Sequence, residues 1–245
     1  RGMSSAASDV YKRQVVGGTS LEYVKDFEGP QIELFMNDTN FIFGGITDAN
    51  PSLYAILYDE SGINTVGNGI GHDMLAIIDE ESSNPIVLND FYESNINSYK
   101  SGTINYPLST LSEGKHSLTV KVWDVHNNSS EGVTEFVVLS SDNLTIQNLL
   151  NFPNPMVDFT SFYFEHNQNN EEMKVLLQII DLQGRVVKEI KEDITPNGYR
   201  YGPIKWDGKS NSGVKLNEGM YVYSLIASLS NGKTTNNSGR LILTK

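Results

Sequence analysis

The chain has 245 residues, a formal net charge of −12 and no cysteine. This acidity disfavours nucleic-acid binding, which needs clustered lysine and arginine, and the lack of cysteine excludes disulfides, thiolate metal sites and a cysteine nucleophile in this stretch. Hydrophobic residues make up 38% of the chain, and no stretch approaches the ~20 consecutive apolar residues of a membrane-spanning helix. We therefore expect roughly two folded domains.

Residues 1–14 share no pattern with the rest of the chain. The segment from Ser5 to Gln14 resembles the translated remnant of a sequencing adapter. It lacks the apolar stretch of roughly 7–15 residues that a secretory signal needs. We expect a non-native leader here, followed by a linker remnant at 15–25, in a fragment that has lost its true N-terminus. The alternative is a genuine flexible leader.

Residues 26–140 predict a first immunoglobulin-like β-sandwich. Long helical periodicity is missing, and short apolar runs are separated by turns rich in glycine, asparagine and serine. Near the end of this region Leu118, Val120 and Val122 alternate with the polar Thr119 and Lys121. An alternation of period two is typical of a strand with one face in the core of a sandwich.

The best candidate for chemistry in this region combines His72, Asp73 and Asp79. An imidazole beside carboxylates suits general acid–base catalysis or metal ligation. The segment from Gly69 to Asp73, however, has the pattern of a turn that leads into a strand at 74–78. The plainer interpretation is therefore that His72 caps this turn and Asp73 accepts backbone amides.

Other polar clusters carry weaker signals. His116 and His126 flank one strand and are too far apart in sequence to form a local ligand pair. Carboxylates near strand ends and loops could bind Ca²⁺. The candidates are Asp38, Asp48, Asp59, Asp79 and Asp90. No Asp-x-Asp-x-Asp-Gly loop occurs, so solvated turn carboxylates are the default and we predict no metal or cofactor. The glycine-rich segment 67–71 lacks a following Lys-Ser/Thr, which disfavours a phosphate site.

A linker at 141–147 separates this region from a second domain at 148–245. Pro153 and Pro155 hold the backbone extended and suit a first strand at the edge of a new sandwich. Seven or so short strands then follow, with frequent turns between them.

Strand and turn signals in the second domain are plain. Val175, Leu177 and Ile179 share one face of a strand that ends at a turn from Asp181 to Gly184. The segment 230–233, Ser-Asn-Gly-Lys, predicts a hairpin. Trp206 and Tyr221 are predicted core residues, with a carbohydrate-stacking platform as the alternative. The whole chain is thus predicted to be all-β, with two immunoglobulin-like β-sandwiches in tandem.

The spaced motifs of residues 148–245 resemble the C-terminal sorting domain of the type IX secretion system. The family's Asp-x-x-Gly turn matches Asp181 and Gly184, and its Gly-x-Tyr matches Gly219 and Tyr221. The basic, β-rich terminus of the family falls on Arg240 and Lys245, although lysine is more usual where Arg240 stands. These six residues are the sorting and anchor motif that the resemblance implies.

Residues 25–245 as a whole resemble the C-terminal region of the type IX secretion signal peptidases (sortases), which are cysteine peptidases of the gingipain clan. The catalytic histidine and cysteine of that family lie in a preceding peptidase domain that is absent here, so no catalytic residue is assigned. The resemblance implies a cell-surface or outer-membrane protein of a Gram-negative bacterium that travels via the periplasm. Its implied partners are the missing peptidase domain and outer-membrane barrel proteins.

Two alternatives belong to other classes of function. A secreted adhesin or glycan-binding module could carry the same terminal domain, and exposed tyrosine and tryptophan in a groove would favour it, whereas burial of Trp123 and Trp206 would oppose it. An independent hydrolase would use His72 and Asp73. The resemblance implies that enzymatic activity belongs to the parent protein and not to this fragment.

Overall fold

The computed structural model describes residues 26–66 and 71–244, and this part of the chain is all-β. The predicted leader at 1–14 and linker remnant at 15–25 lie outside the described residues. None of the described elements is an apolar helix of membrane-spanning length.

The first sandwich consists of a four-stranded sheet in the order β1-β3-β7-β6 and a five-stranded sheet in the order β2-β9-β8-β4-β5. The pairing of β2 with β9 is parallel, and the other pairings in this sandwich are antiparallel. A 3₁₀ turn at Asn89–Phe91 precedes β6. The strands are β1 (Gln31–Met36), β2 (Ile46–Thr47), β3 (Ser52–Tyr58), β4 (Leu75–Ile78), β5 (Ile86–Val87), β6 (Tyr92–Ser94), β7 (Ser101–Pro107), β8 (Gly114–Trp123) and β9 (Ser129–Val138).

The core of the first sandwich lies between its two sheets. Leu118, Val120 and Val122 of β8 are completely buried, and they pack in the same apolar cluster as Leu53 and Leu57 of β3. The intervening residues of β8 are only partly buried. The predicted alternation is therefore confirmed, because the strand turns one side chain in two toward the facing sheet.

The second sandwich joins a three-stranded sheet, β10-β11-β14, to a four-stranded sheet, β13-β12-β15-β16. The pairings within both sheets are antiparallel. Its strands are β10 (Ile146–Phe152), β11 (Thr160–His166), β12 (Met173–Ile180), β13 (Val186–Ile194), β14 (Arg200–Trp206), β15 (Gly219–Leu229) and β16 (Thr234–Leu243).

The strands of the second domain follow the pattern that the sequence predicted. β10 is an edge strand, as Pro153 and Pro155 indicated. Its first residue is Ile146, and both Ile146 and Leu144 pack into the core, so the folded unit includes side chains that precede residue 148. The segment 230–233 forms the predicted hairpin between β15 and β16, where Gly232 has φ 86°.

Trp206 and Tyr221 are core residues of the second sandwich. Trp206 is 2% exposed, and its indole N–H donates to the carbonyl of Lys209 at 2.9 Å. Tyr221 is 8% exposed and donates its hydroxyl hydrogen to the carbonyl of Asn217 at 2.8 Å. Neither ring presents a face to solvent on which a sugar could stack.

Candidate functional site

The predicted grouping of His72 with Asp79 does not form. His72 lies beside the end of β8, with its ring 4.4 Å from that of Trp123 between centroids. Asp79 lies beside the start of β8, where its carboxylate contacts His116 and the amide of Ser117. These two ends are about 20 Å apart, since a strand rises ~3.3 Å per residue. The three-residue group of His72, Asp73 and Asp79 that the sequence suggested is therefore not assembled.

Asp79 instead pairs with His116, thirty-seven residues later in the chain. The Nδ1 atom of His116 lies 2.7 Å from Oδ2 of Asp79, and Nε2 lies 2.7 Å from the carbonyl oxygen of Ser112. Both ring nitrogens are therefore engaged in contacts within the sandwich. The pair fastens the turn after β4 to β8. Nothing in the sequence spacing of Asp79 and His116 predicted this contact.

The Asp-x-x-Gly motif forms the tight turn between β12 and β13. The Oδ1 atom of Asp181 accepts hydrogen bonds from the amides of Gln183 and Arg185, both at 3.0 Å. The Arg185 guanidinium lies 2.7 Å from Oδ2 of Asp181. The amide of Arg185 and its guanidinium hold the pKa of the Asp181 carboxyl below its usual value. Gly184 has φ 82°, a left-handed conformation that favours glycine.

The remaining motif residues lie at the same end of this sheet. Ile180, which precedes Asp181, pairs with Val222, and Val222 pairs in turn with Arg240. Tyr221 is therefore next to Asp181 across the strands. Burial raises the pKa of Tyr221, and the charge of Asp181 adds to this effect. We call this region the motif end of the sheet.

Gly219 completes the motif end. It is the first residue of β15, has φ 150° and pairs with Leu243 near the end of β16. Arg240 is exposed and its backbone carbonyl accepts a hydrogen bond from Asn154 at 2.9 Å. The structure thus brings together Asp181, Gly184, Gly219, Tyr221 and Arg240. Lys245 lies outside the described residues.

The outer face of the motif end is apolar. Met220 pairs with Ile242, and both side chains are exposed to solvent. In the next row along the strands, Val222 and Ile180 are half-buried beside Arg240. Sequence reasoning missed this patch, which joins residues from three strands.

The two sandwiches contact each other through the ends of β11 and β14. Tyr199, immediately before β14, is 2% exposed and packs in the apolar core of the first sandwich. Burial, followed by the nearby charge of Asp48, raises the pKa of Tyr199. Gly198 approaches Asp38 so closely that a Cβ would lie 2.7 Å from Oδ2 of that residue. A larger side chain at position 198 would displace the Asp38 carboxylate.

Polar groups complete the contact between the modules. The backbone amide of Ile46 donates to the Glu165 carboxylate at 3.2 Å. Asn167 donates to the carbonyl oxygens of Ser140 and Asn143, at 2.6 and 2.8 Å. The connecting segment is therefore held against β11 by hydrogen bonds.

Of the carboxylates considered as possible calcium ligands, Asp38, Asp48 and Asp79 each make separate local contacts. Asp38 and Asp48 accept local amides from Asn40 and Asn50 within turns. Asp59 is buried and lies near Asp26 and Asp124, whose charges raise its pKa in addition to the main effect of burial. This grouping was missed because its members come from three distant segments.

No protein-family model and no curated protein sequence matches the chain. Among solved structures, the chain is similar to dimeric latent PorU from Porphyromonas gingivalis, with 29% identity and a TM-score of 0.48. That match covers 93% of this chain and 21% of the PorU chain, so the present chain spans about a fifth of that protein.

Other solved structures are more remote in sequence. The fibronectin(III)-like modules of Clostridium thermocellum CbhA are 13% identical, with a TM-score of 0.31, and the match covers 87% of this chain and 94% of that chain. A tetra-tandem repeat of a large adhesion protein is also 13% identical, with a TM-score of 0.30, over 88% of this chain and 49% of that chain. The all-β sandwich architecture itself follows from the strand pairings described above.

Proposed function

We propose that the chain is the non-catalytic C-terminal part of a surface protein of the type IX secretion sortase kind. In this proposal the first sandwich braces a preceding peptidase domain. The second is a sorting domain that directs outer-membrane translocation and holds the protein at the cell surface through outer-membrane barrel partners.

The observation that carries the proposal is the clustering of the sorting motif. Asp181 and Arg240 are separated by 59 residues in the chain, yet they lie in adjacent rows at the motif end of one sheet. A set of residues that only stabilised the fold would be expected mainly in the core. Here Arg240 and the Met220–Ile242 pair face solvent beside the turn, which suits recognition by another protein.

The bracing role is supported by the contact between the sandwiches. Tyr199 inserts a large ring into the core of the other module, and Glu165 binds a backbone amide there. Contacts of this kind resist bending between the modules. A rigid pair would hold the sorting domain at a defined position relative to whatever precedes the first sandwich.

The sorting role is tested by fusing residues 141–245 to a fluorescent passenger with a periplasmic export signal, in a host that has the type IX system. We expect the passenger at the cell surface, as measured by its accessibility to added protease in intact cells. Arg240→Lys should retain surface delivery, whereas Arg240→Glu should reduce it by about tenfold because it reverses the charge at the motif end.

Lys174→Glu is the matched control. Lys174 is exposed on the same outer face of β12, at the opposite end of the sheet, where its strand pairs with Ser228. Charge reversal there should leave delivery unchanged. Retention of the unmodified fusion in the periplasm, or equal losses for the two charge reversals, would contradict the proposed recognition of the motif end.

A further inference from the structure

Three distant segments of the first sandwich bring acidic side chains to one place. Asp59 follows the last residue of β3, and Asp124 follows the last residue of β8. An isolated bridge between Ile63 and Asp124 joins the two strand ends. Asp26 reaches the same place from the segment before β1, where its carboxylate accepts the hydroxyl hydrogen of Ser61.

His126 lies beside these aspartates. One potential ligand atom each from Asp26, Asp124 and His126 lies within 4.8 Å of the other two. The Nδ1 atom of His126 is 3.8 Å from Oδ2 of Asp26. We call Asp26, Asp59, Asp124 and His126 the strand-end cluster.

Asp59 is a buried member of the cluster and borders a cavity. Its side chain is 5% exposed, and Oδ1 accepts the amides of Ser61 and Gly62 at 2.8 and 2.9 Å. Asp59 lines, together with Asp26 and Glu28, a cavity of 440 Å³ that opens to solvent.

The cluster also has an excess of negative charge. Asp124 is completely buried, and its carboxylate is held by the amides of His126 and Asn128. In the described part of the chain, no ion pair joins a lysine or arginine to any of the three aspartates. Carboxylates this close together repel one another, as the charges of Asp124 and Asp26 do at Asp59, and a bound cation would relieve that repulsion.

We propose that the strand-end cluster is a binding site for a divalent transition-metal ion of the zinc class. Carboxylates alone would suit Ca²⁺ or Mg²⁺, whereas an imidazole among them shifts the preference toward Zn²⁺ and its neighbours. The ion would tie the segment that enters the first sandwich to the ends of β3 and β8. This site is independent of the sorting function.

The test is isothermal titration calorimetry of the metal-depleted chain with Zn²⁺, and separately with Ca²⁺, alongside thermal unfolding. We expect one high-affinity Zn²⁺ per chain, a Tm that rises with zinc to saturation, and no displacement by millimolar Ca²⁺. His126→Gln and Asp26→Asn should each weaken zinc binding by about tenfold or more, since each removes a ligand.

His72→Gln is the matched control, because it removes a neighbouring imidazole that packs on Trp123 without belonging to the cluster. It should bind zinc within about twofold of the unaltered chain. Absence of zinc binding, equal binding by His126→Gln, or tighter binding of Ca²⁺ than of Zn²⁺ would each overturn the proposal. Circular dichroism of each variant separates loss of a ligand from loss of the fold.

Discussion

At the scale of single residues, His166 is a buried titratable side chain in the second sandwich. It ends β11, is completely buried, and packs near the ring of Phe164. Neither ring nitrogen forms a hydrogen bond of good geometry with a described residue. Burial lowers the pKa of His166 to about 4 from its ordinary 6.5, against a smaller opposing effect of the Gln168 backbone.

The pKa of His166 predicts acid sensitivity. The folded state holds the ring neutral, whereas the unfolded chain takes up a proton below pH 6.5. His166 therefore leaves stability unchanged above that pH and weakens it as the pH falls from 6.5 toward 4. The full loss is about 3 kcal/mol of unfolding free energy, at ~1.4 kcal/mol per pH unit.

Urea unfolding at several pH values, with the unaltered chain compared with His166→Phe, measures this loss. The difference in unfolding free energy between the two proteins should change by about 3 kcal/mol between pH 7 and pH 4. Because the carboxylates titrate in both proteins, their contribution to the pH dependence cancels in this comparison. A difference that is independent of pH would show that His166 does not supply the sensitivity.

At the scale of elements, the turn between β12 and β13 shows how a short motif specifies its own geometry. Asp181 accepts the amides of Gln183 and Arg185, and Gly184 supplies the positive φ at which the chain reverses. A Cβ at Gly184 would meet nothing within 4 Å. Any cost of substitution there is therefore conformational.

Gly184→Ala should lower the unfolding free energy by about 1–2 kcal/mol, the usual penalty for a left-handed L-residue. Gly184→Asn should lower it by less, because asparagine tolerates this conformation. Thermal unfolding monitored by circular dichroism compares the two variants. Equal effects of alanine and asparagine would contradict the conformational explanation.

At the scale of the whole molecule, the contact between the sandwiches is formed by one large side chain and a few polar groups. Tyr199 belongs to the second module by sequence and to the core of the first by packing. Tyr199→Ala should lower the unfolding free energy by about 3–5 kcal/mol, as for other buried aromatic side chains. It should also increase hydrogen exchange at the amide of Ile46, which bonds to Glu165 across the contact.

Tyr199→Phe serves as the control, since it keeps the ring and removes a buried hydroxyl without a well-formed hydrogen bond. Its effect should stay below about 1 kcal/mol. Denaturant unfolding and hydrogen–deuterium exchange check both variants. If Tyr199→Ala left exchange at the module contact unchanged, the two sandwiches would be independent units.

Many strands and turns of the described residues could be predicted from the sequence, because they depend on local patterns. Alternation at Val175, Leu177 and Ile179 predicted one buried face, and Asp181 with Gly184 predicted the turn that follows. Which distant side chains meet could be seen only in the folded structure, since strand order and register are set by packing rather than by spacing along the chain. The folded structure placed Asp79 with His116 rather than His72, gathered the strand-end cluster, and set Tyr199 in the neighbouring core.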